Sequence, residues 1–240
     1  MKEPNEIDIL DLNYPLLVKF KEKCPGTFAH SKKLAEVLEK IGTALGLDSK
    51  VLKTIGLYHD VGKMVTPVLY SENQPIDFNP HDNLEPWISF ALVAGHVAHS
   101  VQILLNDPNF DDELVKVCSQ HHGTTLALCF FKKSGSENEE EYRYTTLRPQ
   151  SFEAALLMIC DHLEARIRSE MNSGRITDKE GIENIVEIVF NSLVDDGQFD
   201  DVAVPSFKIL RTLKSTLKLE FSELFEDHKR IDYAQDTVKK

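Results

Sequence analysis

Apolar residues recur at helical spacing along nearly the whole chain. Within residues 31–47 they fall three or four positions apart, at Leu34, Val37, Leu38, Ile41 and Leu45. This spacing places the side chains on one face of an α-helix, and that face has to be buried against other elements. Signals for β-hairpins do not extend beyond a few residues. The sequence therefore predicts an all-α fold.

The same spacing predicts further helices, separated by recognisable loops. We expect them over 49–62, 87–105, 112–122, 124–133, 151–169, 178–194 and 206–225. Gly46 is the predicted stop signal of the first helix, and Asp48 or Ser49 the predicted N-cap of the next. The proline-containing segment 63–86 is long enough to be a functional loop, whereas the acidic segment 134–141 is expected to be a surface turn. We predict one domain over residues 1–240, with a core over about 10–171, a hinge at 172–178 and C-terminal helices over about 178–226.

The composition excludes several classes of partner. Lys and Arg number 27 against 39 Asp and Glu, which gives the 240-residue chain a formal charge of −12. This charge disfavours binding to a nucleic-acid polymer or to anionic lipid. The four cysteines lie far apart without CxxC spacing, so we expect reduced thiols. We expect no apolar run near the ~18 residues that span a bilayer, and hence a soluble, cytoplasmic chain without direct membrane contact.

Several of the nine histidines border apolar stretches. His59 and Asp60 end one apolar helix, His121 and His122 end another, and His30 begins a third. An unpaired imidazole or carboxylate is costly to bury, so these positions favour a metal site. His96 and His99 lie three residues apart and can both face one ion, so the spacing does not choose between them.

Asp161 follows a run that is apolar on all sides, over residues 154–160. We therefore expect a buried carboxylate that is protonated, paired or bound to a metal ion. His162 and Arg166 are alternative partners for it. The remaining histidines, His81, His162 and His228, are interpreted by default as structural or surface residues.

These residues belong to a longer set of motifs. The spaced residues His30, His59, Asp60 and Asp161 occur together with DLNYPLL, CPGTFAHS, YHDVGK, ENQ, NPHDNL, QHHGTT, RPQSFEAALLMICDHLEA and DDGQFD. From about residue 10 to 225 the chain resembles the cytosolic HD domain of the bacterial seven-transmembrane receptor HD family. That family lies within the superfamily of HD-domain metal-dependent phosphohydrolases. The resemblance implies a helical bundle around a dinuclear metal site.

The resemblance also implies a ligand set. One ion would be held by His30, His59, Asp60 and Asp161; the other would be held by Asp60, as the bridge, with His96, His121 and His122. Iron or manganese is the implied metal. The family's pattern is altered in HVAHS, which brings His99 near the site, and at Trp87, which replaces a small residue. Both changes concern the substrate pocket more than the metal ions.

The implied activity is hydrolysis of cyclic di-AMP to linear pApA by a hydroxide that bridges the two ions. Asp60 and Lys63 would be the catalytic residues, with Lys63 in contact with phosphate. Thr124 and Thr125 are expected to donate backbone N–H groups to phosphate at the start of a helix. Asn73, Asn79 and His81 in the long loop are expected to contact base or ribose. The resemblance also implies that the domain comes from a parent protein anchored in a membrane.

Three alternatives remain open. A mononuclear HD nucleotidase acting on dNTPs or nucleoside monophosphates needs only the H, HD and D residues, which would leave His96, His121 and His122 without a role. The cyclic di-GMP branch carries a GYP signature after its paired histidines, and this chain lacks it. A non-hydrolysing module that binds cyclic dinucleotide would be favoured by loss of ligands, and none is lost.

Overall fold

The structure, a computed structural model, describes residues 8–75 and 77–238, with side chains described up to residue 225. This part of the chain contains ten α-helices and five short 3₁₀ helices, and its only β pairing is an isolated bridge between Leu126 and Arg143. The all-α prediction is therefore confirmed. The α-helices are α1 Pro15–Lys23, α2 Pro25–Leu45, α3 Ser49–Tyr58, α4 Pro86–Ala94, α5 His96–Leu105, α6 Asp112–Ser119, α7 Leu128–Ser134, α8 Phe152–Asn172, α9 Lys179–Asp195 and α10 Phe207–Val238.

Helices α2 and α8 form the centre of the bundle. Helix α2 packs against α1, α3, α8 and α10, and α8 also packs against α3, α6 and α9. Every residue of the 154–160 run is buried, as its apolar character on all sides predicted. The fully buried side chains of Tyr58, Phe20, Phe221 and Phe225 fill the space between these helices.

Local signals in the sequence set several helix ends. Gly46 adopts the left-handed conformation after α2, with a φ of 71°, and Leu47 N–H donates back to the Gly42 carbonyl. The Asp48 side chain accepts hydrogen bonds from the backbone N–H groups of Lys50 and Val51, so it caps α3. The predicted stop and the predicted cap are both confirmed.

Two predicted helices are shorter or broken in the structure, in a region where two backbones approach closely. Helix α3 ends at Tyr58, and the chain continues through a turn into the 3₁₀ helix Val61–Val65, which packs on α5. The predicted helix over 87–105 is two helices that meet at Gly95. Gly62 lies directly against the α5 backbone, and its N–H donates to the Ser100 hydroxyl at 2.9 Å.

Other boundaries also differ from the prediction. The helix expected over 124–133 is wrong in its first half, because residues 124–127 are not helical and Leu126 pairs with Arg143. Helix α6 ends at Ser119, so His121 and His122 lie in the turn after it. The functional loop 63–86 contains short 3₁₀ helices, Pro67–Leu69, Ser71–Asn73 and Pro80–Asn83, and the acidic turn ends in a fifth, Glu139–Tyr142. Helix α1 was not predicted.

The stretch Pro86–Leu105 corrects the expectation that no apolar run has membrane-spanning length. Among the described residues, it is long and apolar enough to cross a membrane by length and composition, with a mean hydropathy of 1.6. One third (33%) of its 18-residue apolar window is buried within the protein. The buried part includes the polar residues Ser89 and His96, and the stretch is interrupted at Gly95.

We expect Gly62→Ala to destabilise the metal-free protein strongly. An added methyl group would lie 2.1 Å from the backbone oxygen of His96 and 2.4 Å from the backbone nitrogen of Ser100, so the two segments would have to separate. The free energy of unfolding, measured by urea denaturation, should fall by about 3 kcal/mol. Gly95→Ala is the matched control, since its methyl group would meet nothing closer than 3.4 Å. Equal losses in both variants would contradict this account.

Candidate metal centre

Five segments of the fold bring all seven predicted metal ligands together. They are His30 from α2, His59 and Asp60 from the turn after α3, His96 from α5, His121 and His122 from the turn after α6, and Asp161 from α8. Six of these side chains belong to residues that are at most 8% exposed, and His122 is half-buried. So many buried imidazole and carboxylate groups in one place need hydrogen-bond partners or opposite charges.

Asp60 lies between two groups of ligands. In the first group, His30 Nε2 lies 3.1 Å from Asp161 Oδ1, and His59 Nε2 lies 3.3 Å from Asp60 Oδ2. In the second group, His96 Nε2 and His121 Nε2 lie 3.3 and 3.7 Å from Asp60 Oδ1. The carboxylate of Asp60 thus presents one oxygen to each group, which is the geometry a bridging ligand requires.

Hydrogen bonds on the far side of the rings decide which nitrogen faces the centre. The Nδ1 atoms of His59, His96 and His121 lie 2.9, 2.7 and 2.7 Å from backbone carbonyl oxygens three residues earlier. A carbonyl oxygen can only accept, so each Nδ1 carries a proton and donates it. The Nε2 atom of each ring is therefore the one available to a cation.

The contact between His96 and His121 shows that these residues fit a cation. Their Nε2 atoms are 3.2 Å apart. Burial lowers the pKa of both rings, that of His121 to about 3. Both rings are neutral, and each donates its Nδ1 proton to a backbone carbonyl. Their two Nε2 lone pairs therefore face each other beside the Asp60 carboxylate. A cation at this position would interact favourably with all three groups.

Two further atoms at the centre of the cluster lack a hydrogen-bond partner. Nε2 of His59 and Oδ1 of Asp60 are buried, and neither forms a hydrogen bond within the described part of the chain. Groups that are left in this way in a native interior call for an explanation such as an ion or a water molecule. Because the two atoms belong to the two ligand groups around Asp60, both groups fit metal ions.

The first group carries protons that the second does not. Burial lowers the pKa of His30, but the carboxylates of Asp161 and Glu164 outweigh this effect and raise it to about 9. Burial acts in the same way on His59, whose pKa Asp60 and Asp161 raise to about 10. The buried Asp60 keeps a pKa well below its usual range because Lys63 and His59 lie beside it.

Lys63 lies within the cluster. Its Nζ lies 2.7 Å from Asp60 Oδ2 and 3.3 Å from Glu72 Oε1, and 5.0 Å from the ring centre of Tyr70. The ammonium group is thus close enough to the ligands to act on anything bound to them. Its contact with phosphate stays a prediction.

The three residues of the loop 63–86 that were expected to contact substrate lie in two different places. Asn73 caps α2, since its Oδ1 accepts from the Gly26 and Thr27 N–H groups, so the expected contact with substrate is replaced by a structural role. Asn79 and His81 line a cavity of about 280 Å³ together with Tyr70 and Phe130. The Tyr70 ring also packs against the ring of His96, so this cavity borders the metal ligands.

The helix start expected at Thr124 and Thr125 is wrong, while their contact with phosphate stays a prediction. No helix begins at these residues, since α7 starts at Leu128. The Thr124 N–H donates to Gln198 Oε1 at 3.1 Å, and the Thr125 N–H donates to the His122 carbonyl at 3.0 Å. Both donors are therefore used within the fold, and this turn instead holds His122 in place.

The structure resolves the alternatives among the histidines and around Asp161. His96, and not His99, contributes its ring to the cluster. Arg166 pairs with Glu170 at 2.6 Å, whereas Asp161 faces His30 and His59. His162 lies closer to the site than predicted, because its ligand atom is within 4.8 Å of those of His122 and Asp161. His81 lines the cavity described above, and the side chain of His228 lies outside the described residues.

Four residues around the ligands escaped the sequence analysis. Glu164 and Glu72 are carboxylates that contact ligands or their partners, Tyr144 stacks on His122 with ring centres 4.2 Å apart, and Gln198 is fully buried beside Thr124. Glu164 had a usable signal, because it lies three residues after Asp161 and so on the same side of α8. Glu72 and Gln198 lie within the quoted motifs ENQ and DDGQFD, but no local pattern connects them or Tyr144 to the ligands.

A helical bundle with two His/Asp ligand groups around a shared aspartate defines a class of metal-binding α-helical domains. Comparison with known proteins gives the family: the HD domain model matches residues 27–166, more than half of the chain. The chain belongs to the HD domain family. The resemblance drawn from the motifs is confirmed.

The curated relatives share most of this chain but extend well beyond it. The chain is 35% identical to the cyclic-di-AMP phosphodiesterase PgpH of Bacillus subtilis, over 97% of this chain and 32% of that protein. It is 33% identical to the Listeria monocytogenes protein of the same name, over 96% of this chain and 32% of that protein. The chain thus spans about a third of the length of the curated relatives it matches.

Solved structures agree with this assignment. The crystal structure of the L. monocytogenes phosphodiesterase PgpH HD domain superposes with a TM-score of 0.80 at 31% identity, covering 89% of this chain and 100% of that one. The same HD domain in complex with cyclic-di-AMP also gives a TM-score of 0.80, at 30% identity and with 88% and 97% coverage.

We expect cation binding to release protons and to tighten as the pH rises. His30 and His59 have raised pKa values of about 9 and about 10, so at pH 7 each Nε2 proton of the metal-free protein competes with a cation. The competition weakens as the pH rises and ends above both values. Calorimetric titration with Mn²⁺ at pH 7, in two buffers of different ionisation enthalpy, measures the released protons.

Two variants check the origin of those protons. His30→Ala should release about one proton fewer than the unmodified protein. His99→Ala should release as many, because His99 lies outside the ligand groups. Heats of binding that do not depend on the buffer would contradict the assignment.

Proposed function

We propose that this domain is a metal-dependent phosphodiesterase that hydrolyses cyclic di-AMP to linear pApA. The observation that carries the proposal is the position of Asp60, with one oxygen toward each of two histidine-rich groups. A nucleotidase with a single ion has no use for the second group. The relatives named above as cyclic-di-AMP phosphodiesterases, and the HD domain solved with cyclic-di-AMP, support the choice of substrate.

The proposal assigns two divalent ions to the centre. The first would be held by His30, His59, Asp60 and Asp161, and the second by Asp60, His96, His121 and His122. Imidazole and carboxylate ligands suit both iron and manganese, the two metals we propose. Bound in this way, a pair of cations lowers the pKa of water and neutralises charge on the phosphate as it develops.

In this proposal Lys63 provides a positive charge for the phosphate. Its ammonium group is buried and held between Asp60 and Glu72. Cations bound at Asp60 would replace part of the charge that Lys63 now supplies, which leaves the ammonium group free to pair with a phosphate oxygen. A net charge of −12 makes such a local positive region necessary for an anionic substrate.

The cavity beside His96 is the proposed site for a base or ribose. Asn79 and His81 provide its polar groups, while Tyr70 and Phe130 provide aromatic surface. Nε2 of His81 lies 2.9 Å from the Leu69 carbonyl oxygen, so it donates there and leaves Nδ1 as an acceptor. Aromatic rings with a few polar groups are the surroundings in which proteins bind nucleobases.

We further propose, from the family resemblance, that the domain is the cytoplasmic part of a membrane-anchored receptor. Its acidic charge supports the expectation that neither anionic lipid nor a nucleic-acid polymer is its partner. Its partner would instead be the cyclic dinucleotide.

Metal analysis together with a substrate panel tests the function. Protein purified without oxygen should hold two ions per chain, because Asp60 serves both ligand groups. It should hydrolyse cyclic di-AMP and leave dATP intact. His121→Ala should retain one ion. A rate with dATP equal to that with cyclic di-AMP would favour the nucleotidase, and binding of cyclic di-AMP without hydrolysis would favour the non-hydrolysing module.

Asp161→Asn tests whether this carboxylate is a ligand. The substitution keeps the shape and removes the charge that faces His30 and His59, so hydrolysis should fall by at least about 100-fold and the first ion should bind more weakly. The metal-free protein should lose about 2 kcal/mol at pH 7, since two buried imidazolium groups lose a partner. Asp201→Asn, which breaks an exposed pair with Arg148, is the control and should change neither quantity. Unchanged metal content in Asp161→Asn would contradict the ligand role.

A further inference from the structure

We infer that Glu164 is a positioning residue of the metal centre, which fixes His30 in the orientation that binds the first ion. Glu164 Oε2 lies 2.8 Å from Nδ1 of His30, and the opposite nitrogen of that ring faces Asp161. The Glu164 side chain is only 5% exposed, so this hydrogen bond lies in the interior. The inference rests on the proposed metal centre and gives a role to a residue to which the family resemblance assigned none.

His30 is held differently from three other rings of the cluster. His59, His96 and His121 donate Nδ1–H to the backbone carbonyls of residues 56, 93 and 118, and those carbonyls persist whatever side chain is present. His30 donates to a side chain on another helix, 134 residues later in the sequence. Its orientation therefore depends on Glu164 in a way that substitution can test.

Charged contacts connect Glu164 back to the bridging carboxylate. Its Oε2 lies 3.4 Å from Arg168 Nε, and Arg168 Nη1 lies 3.9 Å from Glu72 Oε2. Glu72 Oε1 lies 3.3 Å from Lys63 Nζ, which contacts Asp60. Charges alternate along this path. Two ligands of the first ion, His30 and Asp60, are thus held by the two ends of one set of ion pairs.

The carboxylate has two physical effects on the ring. It fixes the proton on Nδ1 and so directs Nε2 toward the ion, and its charge makes Nε2 a stronger donor of electrons. Glutamine of the same shape can accept the hydrogen bond but lacks the charge, while alanine loses both effects. The affinity for the first ion should therefore fall in the order Glu, Gln, Ala, and the affinity for the second ion should not change.

A matched control lies on the same helix. Glu170 is also buried and pairs with Arg166 and Arg175, yet it contacts none of the metal ligands in the described structure. Glu164→Gln and Glu170→Gln remove the same charge from neighbouring turns of α8. A purely structural role for Glu164 predicts similar effects in both variants, whereas a positioning role predicts a difference in metal affinity.

The experiment is calorimetric titration with Mn²⁺ of the full chain in two backgrounds. In His121→Ala, which retains the first site, Glu164→Gln should weaken the remaining ion about 10-fold, and Glu164→Ala up to about 100-fold. In His30→Ala, which retains the second site, Glu164→Gln should have no effect. Glu170→Gln should have no effect in either background. Melting temperatures of the metal-free variants identify any that fail to fold.

The outcomes separate this inference from the proposed function. Equal Mn²⁺ affinities of Glu164→Gln and its parent in the His121→Ala background would overturn the inference, as would an equal loss in both backgrounds. Failure of the unmodified chain to bind Mn²⁺ would overturn both proposals. An unmodified chain that binds two ions but does not hydrolyse cyclic di-AMP would overturn the proposed function alone, because the affinities still test Glu164.

Discussion

The arrangement of the ligand cluster depends on the buried carboxylate of Asp60. It is 2% exposed, and a buried carboxylate is stable only where positive charge or hydrogen bonds surround it. Lys63 and the imidazolium of His59 provide that charge in the protein alone, and His96 and His121 complete the surroundings with neutral rings. The cluster is therefore stable enough to fold while keeping lone pairs that fit cations. In the proposed function, metal binding would replace the protons on the rings and the ammonium contact with divalent charge.

This arrangement requires close approach of backbones that ordinary residues prevent. Gly62 lets the 3₁₀ helix after Asp60 lie on the α5 backbone, next to His96. Gly26 plays the same part at the start of α2, where an added methyl group would lie 1.9 Å from the Glu72 carbonyl oxygen. Each glycine therefore joins a ligand-bearing segment to the neighbour that supports it. Close packing around the candidate metal centre therefore explains the glycines in HDVGK and CPGTFAH.

The sequence predicted the members of the ligand cluster better than the residues that support them. An imidazole or carboxylate beside an apolar run is a local signal, strongest for Asp161 after the seven apolar residues 154–160, while the full set of seven predicted ligands, with His96 rather than His99, came from the family resemblance. The roles of Asn73 and Thr124 could not be found locally. Asn73 binds a helix end 47 residues away, and Thr124 binds Gln198, 74 residues away. The long helices could be predicted from the local spacing of apolar residues, whereas the end of α3 at Tyr58 and the interruption at Gly95 were not predicted.

A segment beyond residue 166, where the family match ends, supports the candidate metal centre. Gln198 is fully buried just after α9, and its amide accepts from the Thr124 N–H and donates to the Thr124 hydroxyl at 2.9 Å. Gly123, with a φ of +50°, makes room for it, because an added methyl group would lie 2.5 Å from Gln198 Oε1. The turn that carries His121 and His122 is thereby anchored to a segment that supplies none of the seven ligands. Glu164, which supports the first ligand group, lies within the matched residues, whereas Gln198, which supports the second, lies beyond them, so the support of the candidate centre extends past the matched region.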